Sequence, residues 1–277
     1  MKISVIILTY NESIHIKRAI KSVNALSDDI IIVDSYSTDK TIEISKKTNV
    51  RIFKNKFINQ AKQFNWALKN IKIKNDWILR LDADEYLSKE LVLEIKKKLP
   101  VINLNKEING ICFPRKQFFL RKLIRFGGRG KLIMLRLFRK NYAKCEDRLM
   151  DEHIVVKKGK IISFKNYFYD DNFNNLKNFK EKHKRYAVRE AKQYLIDTKK
   201  QKKTKFKYNF RTTVKKFLIT NVYYRLPYQL SSLLYFIIRY VFLFGFLDGK
   251  IGLQYHYTQA LWYRYMVGKN IKKLLNK

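Results

Sequence analysis

Three short apolar runs, each ending in a polar signature, constrain this chain more than anything else in it. Ile3–Leu8 closes on TYNE (9–12), Ile30–Val33 leads into VDSYSTD (33–39), and Trp77–Leu81 leads into LDADE (81–85). Near-continuous Val, Ile and Leu marks strands buried on both faces of a parallel sheet. Between the runs the apolar residues return at helical spacing. Ile16, Ala19, Ile20 and Val23 share one face, and Ala61, Phe64, Leu68 and Ile71 share another. A short helix from about Asp39 to Lys47 leads to a further strand near Val50–Phe53. Ser88 is the expected N-cap of a helix with the stripe Leu91, Ile95 and Leu99, which Pro100 is expected to stop. This strand–helix series predicts an α/β fold, a mainly parallel sheet with helices on both faces.

In open sheets of this kind ligands bind beyond the carboxyl ends of the strands. The three signatures would therefore deliver Asn11, Glu12, Asp34, Asp39, Asp82 and Asp84 towards one crevice. So many carboxylates require a cation, and a metal-bound diphosphate is the guest that this chemistry suggests. Each acid has a plainer alternative as an N-cap or turn residue, positions that Asp favours. Both readings stay open from the residues alone.

TYNE, VDSYSTDKT, AKQFNWAL (61–68) and LDADEYL, in this order, resemble the inverting family-2 glycosyltransferases of GT-A-type fold. The likeness is greatest to the bacterial branch that builds lipopolysaccharide core and other surface polysaccharides. MDEHI (150–154), KHKRYAVREA (182–191) and FGFLDGKIGL (244–253) resemble that branch too, so the resemblance runs over nearly the whole chain. It implies a nucleotide diphosphate-sugar donor and Mg²⁺ or Mn²⁺ as cofactor. Asp84 matches the second acid of the DxD motif and is the expected metal ligand, with Asp82 ligating through water or binding the ribose. Asp34 would hydrogen-bond the base, and backbone groups at Thr9 and Tyr10 with Glu12 would frame the nucleotide. Lys62 stands where the family often carries a basic residue, with Gln63 and Asn65 nearby. A hard cation of this kind takes oxygen ligands and neutralises charge on a departing diphosphate without proton transfer.

Inverting transfer is a single in-line displacement, so a carboxylate must deprotonate the acceptor on the other side of the sugar. The resemblance places that base in the second half, where LMDEHIVV (149–156) offers Asp151 and Glu152. Its valine–histidine–glutamate triplet aligns its Glu with Glu152, and this chain carries Asp151 in place of the His. Glu152 is the expected general base and Asp151 an orienting or substrate-binding partner. Adjacent carboxylates can raise one another's pKa, which suits a base working near neutral pH. The alternative is a solvated acidic pair before a strand.

The resemblance suggests halves at 1–115, binding the nucleotide sugar, and 116–170, carrying the base. A helical, membrane-facing extension would occupy 171–277. His15 is expected near the surface of a helix, and His256 lies in an aromatic stretch. No His pair has zinc spacing, and Cys112 and Cys145 form no CxxC, in keeping with a reducing compartment. On a helix, His183, Tyr186, Ala187, Glu190 and Ala191 share a face, beside Arg185 and Arg189. An ordinary packing helix is the alternative there.

Lys plus Arg outnumber Asp plus Glu 60 to 23 among 277 residues, a formal charge of +37. A field of that sign suits nucleic acid or an anionic membrane. No helix-turn-helix, zinc knuckle or RNP signature is present, so nucleic acid is not the expected partner. Near an anionic surface each Lys or Arg contributes about 1 kcal/mol. The basic run TKKQKKTKFK (198–207) reads as a solvated loop or helix end. LSSLLYFIIRYVFLFGFL (230–247) is broken by Arg239 and falls short of the roughly 20 apolar residues of a span. With the aromatic stretch 254–268 it suits the membrane interface, a buried helical hairpin being the alternative. The first apolar run is shorter than a signal-peptide core. The expectation is thus a cytoplasmic enzyme, peripheral on the inner face of the cytoplasmic membrane, glycosylating a lipid-linked glycan. Lipopolysaccharide core is the first acceptor and a polyprenyl-diphosphate-linked repeat unit the second.

Overall fold

The computed structural model describes residues 1–130, 132–201 and 226–276. They form two units, one of residues 1–124 with 129–173, the other of 125–128 with 174–277.

The first unit alternates strand and helix in its amino-terminal part: β1 Ile3–Thr9, α1 Ile16–Val23, β2 Ser27–Asp34, α2 Thr41–Lys46, β3 Arg51–Lys54, α3 Gln60–Asn70, β4 Trp77–Asp82, β5 Glu85–Leu87 and α4 Lys89–Leu104. Strands then dominate: β6 Ile108–Phe119, β7 Lys122–Ile124, β8 Leu132–Arg139, β9 Ala143–Cys145, β10 Ile154–Val156, β11 Lys160–Ser163 and β12 Phe168–Asp170. The main sheet runs β3-β2-β1-β4-β8-β6-β12-β5, with β7 and β11 also paired to β6. β1, β2, β3 and β4 are mutually parallel, whereas β8 enters antiparallel between β4 and β6. The fold is the expected α/β class, and the expected halves share one sheet, since β6 crosses position 115.

β1 shows why the helices must lie on both faces. Its residues are all buried, and alternate side chains leave a strand on opposite sides. Ile3, Val5 and Ile7 pack with Ile16, Ala19, Ile20 and Val23 of α1 and with Leu91, Ile95 and Leu99 of α4. Ile6 and Leu8 pack with Ala61, Phe64 and Ala67 of α3. Asn59 caps α3, its side chain accepting the Lys62 N–H, and Ser88 caps α4, accepting the Leu91 N–H at 3.0 Å.

Pro100 does not stop α4, which continues to Leu104. A proline removes one helical hydrogen bond, and here tertiary contacts hold the last turn in its place. Ile102 packs on the core, and the Asn103 side-chain oxygen accepts Trp77 Nε1 at 3.0 Å and an Arg139 guanidinium N–H at 2.7 Å.

The second unit is helical in its described residues: α5 Leu176–Gln201, α6 Tyr228–Ile237 running into a π-helical turn Ile238–Phe242, a 3₁₀ turn Gly245–Asp248, α7 Gly249–His256, a second π-helical turn Tyr257–Trp262, and α8 Tyr263–Leu275. Ala187 and Ala191 of α5 are buried against Tyr263, Val267 and Ile271 of α8. Glu190 accepts from Tyr263 and Arg264. His183 donates from Nδ1 to the Phe179 carbonyl, which leaves Nε2 as the acceptor of Gln259 Nε2 at 2.8 Å. KHKRYAVREA is thus a packing helix. The basic run begins inside α5, and its part at 202–207 lies outside the described residues.

Candidate functional site

The three signatures meet because of strand register. β1 lies between β2 and β4, parallel to both, with Thr9 opposite Asp34 and Leu8 opposite Asp82. Beyond these tips the first two loops are stitched together. Asn11 N–H donates to Ser37 Oγ at 2.9 Å, Thr38 N–H to Asn11 Oδ1 at 2.8 Å, and Glu12 N–H to Thr41 Oγ1 at 2.7 Å. Asn11 and Tyr36 sit at φ 54° and 62°, a left-handed backbone that Asn tolerates and Tyr rarely adopts. The Tyr10 and Tyr36 rings are both exposed at these tips. The sequence reading missed Tyr36, which only its backbone conformation distinguishes.

Asp34 is fully buried, and its carboxylate accepts Ser37 N–H at 2.8 Å, Thr9 Oγ1 at 2.9 Å and Ser37 Oγ at 2.5 Å. It locks its own turn and ties β2 to β1. Asp39 accepts from Ser13 N–H, Thr41 N–H and Thr41 Oγ1, so the turn reading describes it. Burial pushes its pKa up, but those hydrogen bonds outweigh it and hold the carboxyl below its ordinary value. Lys62 is exposed on the first turn of α3. Gln63 bonds Ser35 and Asn55, and Asn65 bonds both backbone groups of Cys145. Both amides brace neighbouring loops.

The second acid cluster is built on charges the sequence reading left unassigned. Asp82, at the end of β4, has one oxygen 3.6 Å from Arg80 Nε and the other 3.6 Å from an Arg136 guanidinium nitrogen. Arg136 also pairs with Glu85, which accepts the Asp82 N–H at 3.0 Å. Burial pushes the Glu85 carboxyl up to about 8, against the opposing pull of Arg136. Asp84 is fastened from the far end of the unit. Its Oδ2 accepts Asn172 Nδ2 at 2.9 Å, and its carbonyl accepts Asp171 N–H and an Arg18 N–H, each at 3.1 Å. Arg18 bonds the Asp171 carboxylate at 2.8 Å, with Tyr86 and Phe173 ring centroids 4.4 and 4.1 Å from its guanidinium carbon.

His15 belongs to this clasp and is not near the surface, as its helical position suggested. It is fully buried, with Nε2 accepting the Phe173 N–H at 2.8 Å. Nδ1 therefore carries the proton and donates to Glu12 Oε2 at 2.6 Å. The covering segment arrives 158 residues later, so no local pattern could reveal the burial.

Glu152 lies just before β10, and its Oε1 accepts an Arg80 guanidinium N–H at 2.8 Å. Asp151 is exposed at φ 53°. The described ion pair of Glu152 is thus with a buried cation, where the sequence suggested influence from Asp151. Arg80 touches both the Asp82 and Glu152 carboxylates; burial lowers its pKa, and the two charges more than restore it. Its other guanidinium nitrogen lies 3.5 Å from Cys145 Sγ. Burial pushes the Cys145 thiol up to about 11, which leaves it un-ionised at neutral pH. His153, beside the expected base, is exposed and 3.3 Å from Glu146.

Among the described residues no three His, Cys, Asp or Glu side chains gather into a ready-made metal cage. The candidate metal donors here are the carboxylates of Asp82 and Asp84, both oxygen. That set fits Mg²⁺ or Mn²⁺, for one or two carboxylates completed by substrate phosphates and water is usual for such cations.

Residues 4–101 match the profile of glycosyl transferase family 2. An uncharacterized glycosyltransferase of Rickettsia bellii is 45% identical over 95 residues, 34% of this chain and 32% of that protein. The SPbeta prophage-derived glycosyltransferase SunS of Bacillus subtilis is 38% identical over 100 residues, 35% of this chain and 23% of SunS. The chain therefore aligns with about a third or less of these relatives' length. Among solved structures, S. aureus TarS in complex with UDP-GlcNAc aligns over 99% of this chain and 92% of that one, at 15% identity and a TM-score of 0.46. Glucosyl-3-phosphoglycerate synthase of Mycobacterium tuberculosis with Mn²⁺ and UDP covers 42% of this chain and 43% of its own, at 21% identity and a TM-score of 0.33. At these scores the structural likenesses carry no inference about chemistry.

Proposed function

We propose that this protein transfers a sugar from a nucleotide diphosphate-sugar to a hydroxyl of a lipid-linked glycan, with inversion. The observation that carries the reading is the register-aligned meeting of Thr9, Asp34 and Asp82 at three parallel strand tips inside the segment that matches family 2. Tyr10, Tyr36 and the backbone of the first two loops face the nucleoside. Asp84, with Asp82, would hold Mg²⁺ or Mn²⁺, which when bound would supply Lewis-acid neutralisation of charge on the departing diphosphate. Glu152, oriented by its hydrogen bond from Arg80, takes the proton from the acceptor hydroxyl. The hydroxyl oxygen bonds to the anomeric carbon as the bond to the diphosphate oxygen breaks, and that oxygen keeps the electron pair.

Lipopolysaccharide core is the acceptor this reading favours, ahead of a polyprenyl-diphosphate-linked repeat unit. The enzyme works on the inner face of the cytoplasmic membrane, where such acceptors and nucleotide sugars meet. The test is turnover of a panel of nucleotide sugars with Mn²⁺ or Mg²⁺, read as nucleoside diphosphate release and glycosylated product. Release with at least one donor is expected. No turnover of any donor, with steeply salt-dependent DNA or RNA binding, would instead make the chain a basic nucleic-acid module.

A further inference from the structure

We propose that Ile238–Leu247 of the second unit is a preformed apolar tip that inserts into the near leaflet of an anionic phospholipid bilayer. This gives the proposed membrane location a named anchor, and the binding step is independent of the donor chemistry.

The tip is apolar outside and polar inside. Ile238, Val241, Phe242, Phe244, Phe246 and Leu247 are each 44–68% exposed. A contiguous apolar surface of this kind marks an interaction site. The charged side chains in and just after this stretch, Arg239 and Asp248, turn the other way. Arg239 is only 5% exposed, and its Nε donates to the Gly127 carbonyl at 2.8 Å. Asp248 accepts the backbone N–H groups of Arg125 and Phe126 at 3.0–3.2 Å. An arginine that the sequence offered as a break in the apolar run is therefore the strut that holds the run in shape.

The shape is also fixed by close packing. A Cβ at Gly127 would lie 2.0 Å from the buried His256 ring, and one at Gly245 would lie 2.6 Å from it. Phe244 sits at φ 58°, a left-handed conformation unusual for an aromatic residue. The exposed rings are thus presented by an ordered backbone, so little conformational freedom remains to be lost on insertion.

Charge selects the occupant. Residues 226–276 contain six Lys or Arg and a single acid, Asp248, whose carboxylate is turned onto backbone N–H groups. An apolar tip within a basic unit complements an anionic headgroup layer. Insertion is shallow. Tyr228–Phe242 is about 22 Å long at 1.5 Å per residue, short of the roughly 30 Å hydrocarbon core, and the chain turns by 72° before Gly245–Leu275.

The experiment compares the full chain with Phe242→Ser/Phe246→Ser/Leu247→Ser, three changes at exposed positions. Co-sedimentation is measured with phosphatidylcholine vesicles and with vesicles containing phosphatidylglycerol. The wild type should prefer the anionic vesicles and lose binding as salt rises, and the variant should bind at least about tenfold more weakly with an unchanged melting curve. Nucleoside diphosphate release without vesicles should be the same in both, which separates this proposal from the catalytic one. The proposal is overturned if the wild type ignores anionic vesicles at low salt, or if the variant binds as the wild type does. It is equally overturned if light scattering shows a wild-type dimer that the substitutions dissociate and that does not bind vesicles, because a second copy would then cover the tip.

Discussion

Arg80 stands between two carboxylates that the proposed chemistry uses differently, Asp82 on the donor side and Glu152 on the acceptor side. Glu152→Gln keeps the shape of the side chain but cannot take a proton. Turnover should fall by about 10² to 10⁴ while donor binding, measured by calorimetry, stays near wild type. If Asp151→Asn is crippled and Glu152→Gln is nearly normal, the two acids exchange roles. Asp84→Ala should abolish transfer and the divalent-dependent part of nucleoside diphosphate binding, with the fold retained by circular dichroism; full activity in excess chelator would remove the metal from the mechanism. Asp34, Asp82 and Asp84 stood out in the sequence because strand tips bearing Asp contrast with the apolar runs before them, whereas Glu152 came from the family resemblance and Glu85 was not singled out. Arg80, Arg136, His15 and Asn172 were not legible, for each acquires its role from a partner 51 to 158 residues distant.

At the scale of elements, the sequence reading of strands and helices held wherever the pattern was local. It failed at Pro100, where Asn103 and Ile102 anchor the last turn of α4 through tertiary contacts. It also gave no sign that antiparallel β8 would enter the sheet, since strand order depends on pairing across a long connection. Glu94 shows how α4 is used as a brace. It is buried and accepts from Lys98 Nζ, the Lys165 and Asn166 N–H groups, and Asn166 Nδ2. Burial raises its pKa, but these donors outweigh it and hold the carboxyl below its ordinary value. The folded state therefore favours the ionised form. Its contribution is complete above the ordinary carboxylate range, about 4.3, and is lost as pH falls through the folded value. Glu94→Gln should cost about 1–3 kcal/mol at neutral pH, with the gap from wild type closing below about pH 4. Denaturant unfolding at the two pH values checks both.

Across the whole molecule, a formal charge of +37 outweighs any single ion pair. Like charges at that density repel one another and work against compactness. Screening shortens their reach from about 30 Å at 0.01 M salt to about 8 Å at 0.15 M. The melting temperature should accordingly rise over that range of sodium chloride, and a flat or falling curve would mean that local ion pairs already offset the repulsion.

The clasp that Asn172, Asp171 and Phe173 make with Asp84, Arg18 and His15 has a meaning in time as well as in space. The ribosome emits this chain from its amino terminus, and residues 4–101, the whole of the family-2 match, emerge long before the clasp. A nascent chain stopped short of Asp171 carries every acid proposed to meet the donor, yet lacks the amide and the backbone N–H groups that hold Asp84 and His15. The proposed donor site is therefore finished late in synthesis, and early termination leaves the recognisable part of the chain without the groups that fasten Asp84 and His15.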